Sequence, residues 1–310
     1  MDEDLERLLP LLGDYLCNRP RAITAQDMAT LTADGLPAEE AWRLLLAALV
    51  GLDTVDDPAD RALYRRCFPK MCHVLDAEAV RQDPYLATIR FPEASDGVWR
   101  FTQERYAPWE AFVCDDFRTL ADGRTLPQIG CFAEAFAYPA VLENGRLWMS
   151  VTPNEIATIR PVAEAAFGET VALGLGLGYF AFMALQNPNV RRVTVVERSS
   201  EALRLFERHL LPQFPRQECL RLVQADAFTW MQEAYPKMQP DFLFADLWHD
   251  VSDGLSMARK LRPLAAASPR TVYHAWIEKT MAVYDETFSC AFCCANAINS
   301  RSLAISAGAG

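Results

Sequence analysis

The chain has 310 residues, of which 51% are hydrophobic, and its 30 basic and 41 acidic side chains give a net charge of −11. This length predicts about two domains, and the composition excludes wholesale disorder. An acidic protein gains little from neutralising phosphates, so nucleic acid is not expected as a partner. The longest apolar stretch near the start, residues 44–52, is about half of a membrane span, and the acidic residues 2–4 do not resemble a signal peptide. We therefore expect a cytoplasmic protein that has no membrane partner.

The first 85 residues predict a small helical module. Leu5, Leu8 and Leu12 recur at helical spacing, while Thr24 and Pro37 each stand where a further helix can begin. Helical periodicity carries no information about function. Packing and partner recognition therefore both stay open for this module.

Residues 86–150 predict a β-rich region, because aromatic and β-branched runs alternate there with Pro, Asp and Gly. Asn144 and Gly145 tolerate positive φ at both central positions of a type I′ turn. Two apolar runs, residues 140–143 and 146–149, flank this pair. The pattern predicts a hairpin, and we interpret the region as a substrate wall or lid.

Residues 151–310 predict an α/β unit. Thr152, Pro153 and Glu155 form a capping-box pattern that starts a helix. Five short apolar runs follow, each separated from the next by enough chain for a helix: residues 170–174, 193–197, 220–224, 241–246 and 271–276. Strands joined by crossover helices predict a doubly wound, Rossmann-like parallel sheet. Residues 278–297 predict one more helix.

A glycine-rich turn follows the first of these strands. Gly174, Gly176 and Gly178 lack Cβ atoms, so a ligand can approach the backbone and the free N–H groups of the next helix. Glu197 ends the second strand, 21 residues after Gly176, where its carboxylate can accept hydrogen bonds from both hydroxyls of a ribose. The pattern predicts a nucleoside site.

Two kinds of nucleoside ligand fit this pattern. The bulky Tyr179 and Phe180 after the last glycine are expected to crowd the pyrophosphate of a dinucleotide, which favours a ligand without one. Asp226 follows the third strand, where it can accept from an adenine amino group, and Asp246 ends the fourth. These acids are expected to meet at one edge of the sheet.

These motifs resemble the class I S-adenosylmethionine-dependent methyltransferases over about residues 150–277, and within that superfamily the spermidine synthase branch. The resemblance implies S-adenosylmethionine as cofactor. It places the methionine part of this cofactor at Gly174, Gly176 and Gly178. The ribose is expected at Glu197, and the adenine at Asp226 and Ala227. We also count Tyr179, Arg198 and Asp246 among the expected cofactor contacts.

Four polar residues lie within eight positions at the expected active edge: Asp246, His249, Asp250 and Asp253. In one interpretation Asp246 or His249 takes a proton from the nucleophile as it attacks the carbon bonded to the sulfonium, and Asp250 helps to attract a cationic amine. In the other, Asp250 and Ser252 cap the following helix, Asp253 is a favourable charge in its first turn, and His249 is simply exposed. We expect the catalytic residues to be Asp246, His249 and Asp250.

The resemblance leaves three functions open. Leu177 replaces the aspartate that spermidine synthases have inside the glycine loop, and the segment after Asp246 differs from theirs, which favours methyl transfer to a small, amine-bearing molecule. The first alternative is an aminopropyltransferase that uses decarboxylated S-adenosylmethionine. The second is a nucleoside-binding regulatory module without turnover. The expected partner is a small molecule, and a homodimer is compatible with the sequence.

The nine cysteines predict free thiols, since the chain shows no export signal. Cys290, Cys293 and Cys294 contain one Cys-x-x-Cys without a second pair at zinc-finger spacing. The pair Cys67 and Cys72 is no better placed. No metal is therefore expected.

Overall fold

The computed structural model describes residues 3–33 and 35–285. The chain opens with four helices, α1 (Glu3–Asn18), α2 (Ala25–Thr32), α3 (Ala38–Leu49) and α4 (Pro58–Met71). Leu5, Leu8, Leu12 and Leu16, spaced three or four apart in α1, are buried, as amphipathic packing requires. Thr24 and Asp27 form a capping box at the start of α2. Helix α4 was not expected from the sequence.

The middle of the chain carries two small sheets. Its elements are β1 (Cys72–Leu75), α5 (Ala77–Arg81), α6 (Pro84–Thr88), β2 (Ser95–Asp96), β3 (Trp99–Tyr106), β4 (Phe112–Thr119), β5 (Thr125–Phe132), β6 (Phe136–Glu143) and β7 (Arg146–Ser150). One sheet has the order β1-β5-β4 and the other, which is antiparallel, has the order β2-β3-β6-β7. Asn144 (φ 53°) and Gly145 (φ 76°) join β6 to β7, so the predicted hairpin is confirmed.

Strands and helices alternate in the rest of the described chain. The elements are α7 (Pro153–Ala165), β8 (Gly168–Leu173), α8 (Tyr179–Gln186), β9 (Val190–Glu197), α9 (Ser200–His209), β10 (Leu220–Gln224), α10 (Ala227–Glu233), α11 (Tyr235–Met238), β11 (Phe242–Ala245), α12 (Val251–Ala265), β12 (Val272–Ala275) and α13 (Glu278–Asp285). The five predicted apolar runs are all strands. The α/β fold with a parallel sheet is therefore confirmed.

The parallel sheet has the order β10-β9-β8-β11-β12, and each neighbouring pair is parallel. The first strand of the unit, β8, lies at the centre, with the second and third on one side and the fourth and fifth on the other. The strand order thus reverses between β8 and β11. In open α/β sheets ligands bind outside the carboxyl ends of the strands at such a point.

Apolar side chains of the helical module and of the parallel-sheet unit belong to one continuous buried cluster, which includes Leu5, Trp42, Val171 and Phe244. Among residues 3–33 and 35–285, no helix combines the length and apolar character that crossing a membrane requires. The second part of the predicted helix 278–297, with Cys290, Cys293 and Cys294, lies outside the described residues.

Candidate functional site

A cavity of about 310 Å³ opens at the carboxyl ends of β8, β9, β10 and β11. The hairpin strand β7 and the first turn of α7 cover it from the side of the small sheets, through Trp148, Met149 and Glu155. The predicted site residues that line it are Gly174, Gly176, Glu197, Arg198, Asp226, Ala227, Asp246 and His249. The predicted residues that do not are Gly178, Tyr179 and Asp250.

Close packing explains why the turn after β8 needs glycine. Gly174 has a φ of 96° and Gly176 a φ of 51°, a region that side chains with a Cβ rarely adopt. A Cβ on Gly174 would overlap the carbonyl oxygen of Asp246, and one on Gly176 would overlap the sulfur of Met149. The glycines thus let β11 and the hairpin approach the turn, and they leave its backbone open to the cavity.

Glu197 is tied to this turn. Its Oε2 accepts a hydrogen bond from the backbone N–H of Leu175 at 3.2 Å, and its Oε1 accepts from the N–H of Ser199 at 2.8 Å. A carboxylate has about four lone-pair sites, so each oxygen can still accept from a ligand hydroxyl. The carboxylate is therefore oriented before any ligand arrives.

Asp226 and Arg198 stand at the neighbouring strand ends. Asp226 is exposed and caps α10, since its Oδ1 accepts from the backbone N–H of Thr229 at 2.9 Å. The guanidinium of Arg198 lies 5.8 Å from the ring centre of Trp148, a cation–π distance. Ala227 begins α10 and presents the helix start to the cavity.

Asp246 and Glu155 form a pair of carboxyls in the cavity wall. Burial raises the pKa of Asp246 to about 7, helped by the charge of Asp253 and opposed by that of His249. Burial, and then the charge of Asp246, raises the pKa of Glu155 well above its usual range. Two acids in such surroundings retain a proton near neutral pH.

The polar residues after Asp246 make different contacts. His249 Nδ1 lies 3.0 Å from Asp253 Oδ2, and this hydrogen bond raises the histidine pKa. The histidine ring also packs edge-on against Trp148, with the ring centres 4.3 Å apart. Asp250 is buried and caps α12, where it accepts from the N–H of Ser252 at 2.7 Å and forms a capping box with Asp253. The interpretation of Asp250 as a helix cap therefore describes its observed contacts.

Tyr179 points away from the cavity. Its hydroxyl donates to Asp83 Oδ2 at 2.9 Å, and the same carboxylate pairs with Arg160. Phe180 stacks on Phe244 with ring centres 4.5 Å apart. Neither ring crowds a ligand, so the steric reason for excluding a dinucleotide is wrong. The directions of these two side chains depend on packing partners that are distant in sequence, so the local sequence does not reveal them.

Gly178 is the N-cap of α8 and supports the turn from behind. Its φ is 80°, and a Cβ there would meet the rings of Phe206 and Phe214. The hydroxyl of the buried Tyr85 donates to the carbonyl of Leu177 in the same turn. Tyr85 of α6 and two phenylalanine rings of the parallel-sheet unit thus support the glycine turn on its far side.

Glu155, Trp148 and Trp276 line the cavity without having been expected there from the sequence, whereas Trp248 was a possible pocket residue from the start. The capping-box pattern explained Glu155 locally, but the structure contains only half of such a box. Thr152 Oγ1 accepts from the N–H of Glu155 at 3.4 Å, whereas the Glu155 side chain lines the cavity. Trp148, Trp248 and Trp276 come from three distant segments, and no short motif joins them.

No protein-family model and no curated protein matches the chain. Among solved structures it is similar to a candidate methyltransferase of Porphyromonas gingivalis W83 (16% identity, 35% of this chain and 27% of that one, TM-score 0.29). It is also similar to a precorrin 8W decarboxylase of Methanobacterium thermoautotrophicum (20% identity, 42% of this chain and 69% of that one, TM-score 0.29). A third similar structure is that of a candidate S-adenosylmethionine-dependent methyltransferase of Streptococcus mutans (13% identity, 51% of this chain and 48% of that one, TM-score 0.34). The chain thus spans about a quarter of the first protein and about half of the third.

Proposed function

We propose that this chain is an S-adenosylmethionine-dependent methyltransferase of the doubly wound, class I type, acting on a small, amine-bearing molecule. One observation carries the proposal: a glycine turn, with Glu197 bonded to its backbone, opens into a cavity where the strand order reverses. In the proposed complex the ribose lies against Glu197, the adenine against Asp226 and Ala227, and the methionine part along Gly174 and Gly176.

S-adenosylmethionine supplies a methyl group whose carbon is made electrophilic by the adjacent sulfonium. The chain's own residues then have to place a nucleophile in line with that carbon and to receive its proton. Asp246 faces the cavity, and its pKa of about 7 suits a base that accepts a proton near neutral pH. His249, held by Asp253 and packed on Trp148, shapes the acceptor side.

Aminopropyl transfer is the second candidate, and the charge of the cavity favours it. Five acids line the cavity (Glu155, Glu197, Asp226, Asp246 and Asp253), and among the described lining residues Arg198 is the only arginine or lysine. Decarboxylated S-adenosylmethionine lacks the carboxylate that such surroundings repel. Calorimetric titration with S-adenosylmethionine and with its decarboxylated form separates the two donors.

Binding of S-adenosylhomocysteine, measured by calorimetry, tests the nucleoside site. Glu197→Ala removes charge-assisted hydrogen bonds, which are worth about 1.5 to 3 kcal/mol each, so we expect affinity to fall at least tenfold. Glu207→Ala, a change at an exposed acid on α9, is the matched control and should bind as wild type does. Unchanged binding by Glu197→Ala would overturn the assignment of the ribose.

Thermal unfolding with NAD and with S-adenosylhomocysteine tests the ligand class. A ligand at 100 times its dissociation constant stabilises the protein by about 2.7 kcal/mol. We expect that response with S-adenosylhomocysteine. A response to NAD alone would contradict the proposal.

A further inference from the structure

Strand β7 carries a β-bulge beside the cavity. Met149 lies opposite Val141 in the pairing of β7 with β6. Leu147 lies opposite Leu142, the next residue of β6, so Trp148 is one residue more than β6 can pair. A bulge interrupts the alternation of side chains along a strand, and next to a ligand site it redirects a side chain. Trp148 and Met149, although adjacent in sequence, both line the cavity, whereas a regular strand would turn one of them away.

The redirected, half-buried indole of Trp148 contacts two other parts of the cavity wall. Its ring centre lies 4.3 Å from that of His249, in an edge-on arrangement, and the guanidinium of Arg198 lies 5.8 Å from it. Trp99 of β3 also packs against it edge-on, with the ring centres 5.7 Å apart. His249 follows β11 and Arg198 follows β9, which are the two neighbours of β8 in the parallel sheet. One side chain of the hairpin thus contacts the segments after both of these strands.

A strained turn places a second indole, that of Trp276. This residue follows β12, and its backbone N–H donates to the carbonyl of Ala245, the last residue of β11, at 2.9 Å. The next residue, Ile277, has a φ of 50°, which β-branched side chains rarely adopt. Its surroundings impose this conformation, because Ile277 is buried and Asp116 of β4 accepts hydrogen bonds from the N–H and the hydroxyl of Thr280. Strain of this kind is concentrated at ligand and active sites.

The two irregularities of the backbone serve the same cavity. Each brings an indole to its wall, and each indole lies near the segment that carries Asp246, the proposed proton acceptor. The indole of Trp276 is held in place, since its Nε1 donates to Thr158 Oγ1 at 2.8 Å. Aromatic rings attract one another in edge-to-face and offset arrangements beyond what the burial of their area contributes. Two positioned indoles therefore make a wall that suits a flat aromatic ring.

We propose that Trp148 and Trp276 determine which acceptor the chain uses, and that this acceptor carries a planar aromatic ring. The ring packs against the two indoles, and this contact brings the nucleophilic group towards Asp246. The inference rests on the proposed function, because it names the class of acceptor for the same site. The cavity of about 310 Å³ is near the lower end of ligand pockets, which span about 300 to 1,000 Å³, and it also has to hold the donor. A single ring with a short amine-bearing chain suits that space better than a fused ring system.

The test compares 2-phenylethylamine with 2-cyclohexylethylamine by calorimetry, in protein saturated with S-adenosylhomocysteine. Both amines have the same ammonium group and the same chain, so charge contributes equally, but the cyclohexyl ring is neither planar nor aromatic. Each aromatic pair adds about two- to twelvefold in affinity, so we expect 2-phenylethylamine to bind at least fivefold more tightly. Equal binding, tighter binding of 2-cyclohexylethylamine, or no binding of either amine would overturn the aromatic acceptor.

Variants of Trp148 test its own part through the ratio of the two affinities. Trp148→Leu should lower this ratio at least twofold, whereas Trp148→Phe keeps an aromatic ring and should retain most of it. Phe167→Leu is the matched control, because Phe167 is 40% exposed and does not line the cavity. A general loss of affinity cancels in the ratio, and the wild-type comparison stands without any variant. A wild-type ratio in Trp148→Leu, or an equal loss in Phe167→Leu, would overturn the assignment of Trp148.

Failure of wild-type protein to bind S-adenosylhomocysteine would instead refute the proposed function. In that case the same two amines are titrated into nucleoside-free protein. A preference for 2-phenylethylamine that Trp148→Leu loses would support the aromatic subsite, and absence of the preference would overturn it.

Discussion

Replacing Asp246 by asparagine should stabilise the folded chain above neutral pH. Burial and the charge of Asp253 raise the pKa of Asp246 from 3.8 to about 7. Between these two values the unfolded chain has lost a proton that the folded chain still binds. The folded state is therefore penalised progressively as pH rises from about 4 to about 7, and the penalty then stays constant.

The size of the effect follows from the rise in pKa. One pKa unit corresponds to about 1.4 kcal/mol, so the penalty reaches on the order of 4 kcal/mol above pH 7. Asparagine does not titrate and removes it, but burying its amide has its own cost. We expect Asp246→Asn to raise the free energy of unfolding by about 1 to 3 kcal/mol at pH 8. At pH 4 and below the charge penalty is absent, so the cost of burying the amide should leave Asp246→Asn less stable than wild type by about 1 to 3 kcal/mol.

Urea unfolding of wild type and variant between pH 4 and pH 9 measures this difference. Asp56→Asn, a change at an exposed aspartate in the helical module, serves as the control and should leave the pH profile unchanged. A variant that is less stable than wild type at pH 8, or one whose advantage is the same at pH 4 and pH 8, would refute the argument from burial.

Three further outcomes are expected. An acceptor can be identified by screening for release of S-adenosylhomocysteine. With that acceptor, Asp246→Asn should lower kcat at least a hundredfold, and His249→Ala should lower it less. A fully active Asp246→Asn enzyme would place the proton transfer elsewhere. Tyr85→Phe removes a hydrogen bond to the glycine turn and should weaken S-adenosylhomocysteine severalfold in calorimetry. Gly176→Ala places a Cβ against the sulfur of Met149 at positive φ and should weaken the same ligand at least tenfold.

Local patterns were sufficient to predict the parallel sheet and the hairpin. Five apolar runs separated by crossover lengths define the strands, because burial on both faces demands continuous apolar sequence. The pair Asn144 and Gly145 predicts its turn because few residues accept positive φ at both positions. In both cases the deciding interaction lies within a few residues of the pattern.

The directions of individual side chains were harder to predict from the sequence. Tyr179 follows the glycine turn directly, yet its hydroxyl reaches Asp83, which is 96 positions away in sequence. Trp148, Trp248 and Trp276 meet in the cavity only because the hairpin, β11 and β12 come together in space. Contacts of this kind depend on the completed fold, so no local periodicity encodes them.

Glu155 shows how a correct local pattern conceals a second role. An acid three residues after a capping threonine lies in the first turn of a helix, where it stabilises the N-terminus. The same turn of α7 faces the open end of the parallel sheet, so its acid reaches either the helix backbone or the cavity. The side chain takes the cavity and leaves Oε2 buried without a donor among the described residues. A group that gives up available hydrogen bonds destabilises the chain by itself, and such departures from local consistency are concentrated at functional sites. Glu155 therefore keeps the sequence position of a capping acid without the backbone hydrogen bond of a full capping box, which is why the local pattern misassigned its side chain.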